Sequence, residues 1–192
     1  MAKIIDALLE EHRNIEKLLG VLEHELELFD RNQRPDYEVL QCIIQYFEDY
    51  PEACHHPKED MIFRILRERD PVAAARFGDV GAEHQTEAQR LQGFAQAVNA
   101  VLADQEVLRE NFHLAVHAFI RNQREHLKKE EVLLFPAALK ALCPEDWAEI
   151  DARLTDRKDP LFDGEAEEKF HVLERTILRW EQEAEEARSA VR

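Results

Sequence analysis

Large aliphatic residues recur three or four positions apart through most of this chain, the spacing that lines one face of a helix. Over residues 3–30 the series Ile5, Leu8, His12, Ile15, Leu19, Leu22, Leu26 keeps that period with a single polar member. A second series, Val80, His84, Ala88, Leu91, Ala95, Val98 and Leu102, runs through residues 79–103. A third, Phe119, His126, Glu130, Leu133 and Ala137, lies in residues 105–141. No stretch alternates with period two for long enough to make a strand, and only five glycines interrupt 192 residues.

Breakers mark off four long helices: 3–30, ended by Arg31-Asn32-Gln33-Arg34-Pro35; 36–68, ended near Asp70-Pro71; 79–103; and 105–141, ended at Cys143-Pro144. Val72 to Phe77 leave room for a further helical turn or two before Gly78. Beyond Pro144 the pattern predicts a short helical segment over 147–154, a polar turn at 156–160 and a last helix from about 165 to 188. Short connections make consecutive helices antiparallel. The fold class is therefore all-α: an up-down-up-down four-helix bundle over 1–142, with a C-terminal helical extension over 143–192. Phe170, Leu173, Ile177 and Trp180 give that extension an apolar stripe that would pack on the bundle or on a partner. A homodimer through the C-terminal helix is one way to cover it.

The length supports one domain with a sizeable core. Forty-one acidic and 25 basic residues give a net charge of −16, which repels nucleic acid and anionic membrane surfaces. No window approaches the roughly 18 apolar residues of a membrane span, and the N-terminus has only a short apolar stretch. Cys42, Cys54 and Cys143 form no C-x-x-C pair and leave an odd thiol over, which argues against a zinc-thiolate site and a disulfide scaffold. A cytoplasmic protein with reduced thiols is expected. No motif points to a particular protein partner.

One unit of possible chemistry is written twice. His12 is followed 43 residues later by His55-x-x-x-Glu59, and His84 is followed 42 residues later by His126-x-x-x-Glu130. The spacing His-x-x-x-acid is weak by itself: nine histidines among so many acids yield about two such pairs by chance, and the chain has four. The faces carry more weight. His12, His84, His126 and Glu130 sit on apolar stripes, and His55 and Glu59 continue into Ile62 and Leu66. His56 and Asp60 have the same spacing and remain the alternative pair, although they align with Gln45, Asp49, Glu52 and Arg67 on a solvated face. Pro51 and Pro57 each remove a helical hydrogen bond and predict a kink or restart there.

Burying Glu59 and Glu130 costs several kcal/mol each without a cation, on the order of what isolated buried charges require, and no Lys or Arg shares their stripes. Four histidines and two carboxylates converging in a bundle make a binuclear metal site, with imidazole suiting iron or zinc and the carboxylates free to bridge. Glu11, Glu83 and Glu125 precede ligand candidates directly and are expected to be solvated. Tyr46 and Tyr50 are the only visible proton donors nearby and read as packing residues. His24, His113, His117 and His171 read as surface or structural groups.

His55-His56-Pro57-Lys58-Glu59-Asp60-Met61-Ile62-Phe63, the Glu83-His84 pair and Glu125-His126-Leu127-Lys128-Lys129-Glu130-Glu131-Val132-Leu133-Leu134-Phe135-Pro136 resemble the hemerythrin family, specifically its bacterial cation-binding (HHE) branch. The resemblance covers about residues 1–142. It implies a non-haem di-iron centre: two iron ions, with His12, His55, His84 and His126 as terminal ligands and Glu59 and Glu130 as bridging carboxylates. Oxygen-carrying hemerythrins would be expected to show a second third-helix histidine one turn from His84, where this chain has Val80 and Ala88. The resemblance is therefore to the four-histidine, two-glutamate branch. It implies binding or sensing of oxygen, nitric oxide or peroxide, or iron handling, under oxidative or nitrosative stress, rather than oxygen transport or a dedicated enzyme. Two other readings use the same chain. A ferritin-like iron oxidase or store would employ Glu52/His55, Glu110/His113 and Glu168/His171, and a metal-free helical interaction module would need no site at all.

Overall fold

A computed structural model describes residues 3–153 and 159–190, with backbone alone at 181 and 183–190. The structure is 85% helical, with no strand among the described residues. Helices α1 (Lys3–Asp30), α2 (Tyr37–Tyr50), α3 (His56–Arg69), α4 (Pro71–Phe77), α5 (Val80–Leu102), α6 (Arg109–Lys129), α7 (Phe135–Ala141), α8 (Pro144–Arg153) and α9 (His171–Ala190) follow in order. Most of the polar turn expected at 156–160 lies outside the described residues, as do Met1, Ala2 and Leu154. The last helix begins later than the pattern suggested: residues 168–170 form a 3-10 turn before His171.

Asp36, Asp70 and Asp79 set the starts of α2, α4 and α5, each accepting hydrogen bonds from backbone N–H groups of the first turn. α2 and α3 make one long arm, and α6 and α7 another, each joined through a π-helical turn, Pro51–His55 and Glu130–Leu134. The cause is common to both. Pro57 and Pro136 cannot donate to the helical ladder, and the residue just before each proline bonds five positions back: His56 N–H to Pro51 O and Phe135 N–H to Glu130 O. The extra residue rotates everything downstream by about 100°, one residue's worth of helix.

That rotation corrects the fourth-arm stripe. Leu133, expected inside, is 40% exposed, while Leu134 is fully buried and Phe135 and Ala138 follow it into the core. The α1 series, by contrast, is buried throughout. In α5 the stripe holds at Val80, Ala95 and Val98, but Ala88 and Leu102 are exposed, and Glu87 and Phe94 take core places beside it.

α1 packs on α2 and α6, α2 on α5, and α5 on α6, so each long arm touches its sequence neighbours and the ring closes between first and last. The apolar interior is divided in two. One cluster joins Ile15, Leu19, Phe47, Phe94, Phe119, Phe170 of the 3-10 turn and α9 residues Leu173 and Ile177. The other joins Ile5, Leu8, Ile62, Leu66, Leu134 and Ile150 of α8. Between them, at the level of His12 in α1, runs a belt of buried polar side chains.

α8 and α9 pack against the bundle. α9 lies on α1 and α2, with the Trp180 ring against Gly20, where a Cβ would come within 2.6 Å of it. Arg69 holds α8 through both oxygens of Asp146 at 2.8 and 2.9 Å. Tyr46, fully buried, donates to Asp159 Oδ2 at 2.7 Å, and Asp159 Oδ1 accepts from the N–H groups of Leu161 and Phe162. Tyr46→Phe should lower unfolding free energy by about 1–2 kcal/mol, because the buried Asp159 oxygen loses its donor. Denaturant titration checks this, and bound metal should stay unchanged. No helix among the described residues is long and apolar enough to cross a membrane.

Candidate metal centre

Four arms contribute to the belt: α1 supplies His12, the first π turn His55, α3 Glu59, α5 His84, α6 His126, and the second π turn Glu130. Glu59 and Glu130 are fully buried, His12, His55 and His126 nearly so, and His84 is half-buried. Their donor atoms form two groups, His12/His55/Glu59/Glu130 and Glu59/His84/His126/Glu130, each with all its atoms within 4.8 Å of one another.

The two glutamates divide their oxygens between the groups. Glu59 turns Oε1 to His55 Nε2 (2.9 Å) and His12 Nε2 (3.5 Å), and Oε2 to His84 Nε2 (3.5 Å). Glu130 turns Oε2 to His12 Nε2 (3.4 Å) and Oε1 to His126 Nε2 (3.2 Å). Donors about 2.1 Å from one ion and 90–110° apart stand roughly 3.0–3.4 Å from each other, close to these separations. Buried polar groups are normally hydrogen-bonded. Here the Nε2 atoms of His55, His84 and His126, Oε2 of Glu59 and both oxygens of Glu130 have no hydrogen-bond partner among the described residues. A donor set of imidazole nitrogens and carboxylate oxygens, orphaned and aimed at two common points, fits a pair of divalent ions.

The opposite edge of each imidazole meets a carboxylate. His12 Nδ1 donates to Glu131 at 3.0 Å and His55 Nδ1 to Glu11 at 2.7 Å. His84 Nδ1 and His126 Nδ1 lie 3.5 Å from Asp60 and Glu83. Lys58 pairs with Glu11 and Lys129 with Glu83. The hydrogen-bonded partners Glu131 and Glu11 fix the tautomers of His12 and His55, leaving Nε2 free to bind a metal, and raise the basicity of those rings.

The arrangement follows the sequence duplication. Glu11, His12, His55, Lys58, Glu59 and Asp60 correspond to Glu83, His84, His126, Lys129, Glu130 and Glu131, and each half lends its last acid to the other half's first histidine.

Electrostatics show how the belt is balanced by protons when no ion takes their place. Burial works to lower His12, but Glu130 and Glu59 outweigh it and raise it to about 9. His126 rises to about 10 against the same burial, chiefly through Glu130. Burial opposes the shift at His55 too, where Glu59 and Glu11 push it well upward. Glu59 is held well below the carboxylate range: burial would raise it, and His55, His12 and His84 overcome that.

Two expectations need correction. Glu11 is buried and Glu83 half-buried, each engaged as described, whereas Glu125 is solvated as expected. His56 is not on a solvated face: its ring stacks on His84 with centroids 3.9 Å apart, and its Nε2 lies 3.2 Å from buried Glu87. Asp60 is exposed, so His56 and Asp60 form no inward pair. Nor do Glu52, Glu110 and Glu168 of the ferritin-like pattern reach the belt, all three being exposed. Sequence reading passed over Glu87 and Glu131. The available signals were Glu87's place three residues after His84, on the line continuing to Leu91 and Phe94, and the repeated acid directly after each shared glutamate.

A groove of about 450 Å³ between α2 and α5 reaches the belt at His56, His84 and Glu87, walled by Phe47, Leu91 and Gln123. On the other side His12 stacks on Phe135, at 5.4 Å between centroids.

The family model of the hemerythrin HHE cation-binding domain matches residues 3–138. No curated protein and no solved structure matches the chain. The match takes in all four long arms and every residue of the belt, and with it the chain belongs to the hemerythrin HHE cation-binding domain family.

Proposed function

We propose that this protein holds two iron ions and uses them to bind a small oxidant or diatomic gas, namely oxygen, nitric oxide or peroxide, under oxidative or nitrosative stress in the cytoplasm. His12 and His55 would serve one ion, His84 and His126 the other, and Glu59 and Glu130 both. The single observation behind this is the division of each buried glutamate's two oxygens between two histidine pairs. A di-iron centre with mixed imidazole and carboxylate ligands supplies open coordination positions and a change of oxidation state. The protein's own part is to bind and to shield. Glu131 and Glu11 would orient the rings of His12 and His55, Asp60 and Glu83 stand beside those of His84 and His126, the two apolar clusters flank the belt, and the groove gives a route to the His84 side.

The Tyr46 hydroxyl is committed to Asp159, which takes one of the two candidate proton donors out of play. Leu173 and Ile177 of α9 are buried on the bundle, so a homodimer through this helix would use its outer face, where Leu178 is exposed.

Anaerobic protein reconstituted with ferrous iron should show an absorption change on mixing with oxygen, nitric oxide or peroxide, saturating at one ligand molecule per two irons. Spectra and rates no different from those of free ferrous iron with all three would overturn the proposal.

A further inference from the structure

The pseudo-symmetry of the belt breaks at two positions, both on the His84 side. Glu87, three residues after His84, corresponds to Ile15 three residues after His12. His56, next to His55, corresponds to Leu127, next to His126. An apolar residue on one half is thus replaced by an ionisable one on the other, in both cases at the floor of the groove.

Glu87 is 4% exposed, and its Oε1 has no hydrogen-bond partner. That oxygen lies 3.6 Å from Nε2 of His126, the nitrogen that faces Glu130. Two donors on one ion, each about 2.1 Å from it, stand between roughly 3.0 Å (adjacent) and 4.2 Å (opposite) apart, and 3.6 Å falls inside that range. The other oxygen is occupied by His56, whose ring is in turn fixed by stacking on His84. Leaving a buried carboxylate oxygen unpaired is costly, so an unpaired oxygen beside His126 Nε2 asks for a cation. The counterpart place beside His12 and His55 offers only Ile15.

Resting on the two-ion reading above, we infer that Glu87 is an additional ligand to the ion held by His84 and His126, positioned by His56, and that the two metal positions are therefore unequal. The ion on the groove side has one more anionic donor than its neighbour. It would hold its charge more tightly and would be the position whose ligand set a molecule entering the groove meets first.

Cobalt(II) tests this without reliance on activity, since its visible absorption reports coordination number. Wild-type and Glu87→Gln protein, purified metal-free, are titrated with cobalt(II) under anaerobic conditions. In wild type two equivalents should bind with distinguishable spectra. In Glu87→Gln one equivalent should bind as before, and the other should bind at least tenfold more weakly with an altered band intensity. His56→Leu, which frees the second oxygen, should alter the same equivalent only, and by less. Two unchanged equivalents in Glu87→Gln would overturn the inference, as would equal weakening of both. If Glu87→Gln loses its helical signal, Glu87→Asp, which keeps the charge but withdraws it by a methylene, carries the same prediction. Failure of the wild-type protein to bind two cobalt ions would instead overturn the two-ion reading itself.

Discussion

Glu59→Ala and Glu130→Ala should each take bound metal from two ions per chain to nearly none, while His12→Ala should leave about one. Each glutamate belongs to both donor groups, whereas His12 belongs to one. Losing a shared carboxylate removes one protein donor from both positions and a negative charge from between two dications. Removing a group that merely orients a ligand typically costs 10–100-fold in affinity, so removing a shared ligand should cost more at each position. The fold should suffer less than the metal content, since the same substitution leaves a void no larger than a few methylenes, and the imidazoles it faced can return to neutrality. Elemental analysis after desalting, with circular dichroism alongside, reads the result. Equal metal loss in His12→Ala and Glu59→Ala would show that the glutamates do not bridge.

The second large effect concerns metal-free protein in alkali. His12 and His126 titrate near 9 and 10 when folded, above the value of about 6.5 expected unfolded. A folded-state pKa above the unfolded one stabilises fully below the unfolded value and is lost as pH rises through the folded value. Metal-free protein should therefore lose stability between about pH 6.5 and 10, by on the order of a few kcal/mol per histidine at one pKa unit to about 1.4 kcal/mol. Glu59 acts at the other end, its depressed pKa giving stability that is lost as pH falls below the ordinary carboxylate range. Metal replaces the imidazolium protons, so loaded protein should hold its stability across the same alkaline window and its metal affinity should rise with pH. Denaturant unfolding of chelated and loaded samples at pH 6, 8 and 10 distinguishes these. A chelated protein equally stable at all three would mean the belt is not balanced by protons.

Periodicity alone reads α1 correctly because that helix is continuous and packs over its whole length: every member of its apolar series is buried. It fails past Glu130 because a π turn adds a residue there, exchanging Leu133 for Leu134. The cue was Pro136, and the same device before Pro57 was visible only as a kink. In α5 the short side chains of Ala88 and Ala95 left the phase under-determined, and an acid at position 87 looked like a surface residue. The inward placing of the six ligand candidates was legible because each stood within an aliphatic series, and the structure buries five of them and half-buries His84. Their carboxylate partners were not, because Glu11 and Glu83 look like any surface acid until Lys58, Lys129 and the neighbouring arms are brought to them.

The most direct test is the metal content of untagged protein purified without added metal or chelator. Two irons per chain are predicted, lost together in Glu59→Ala. A folded wild-type protein carrying no metal, and taking up none when ferrous iron is supplied anaerobically, would contradict the account.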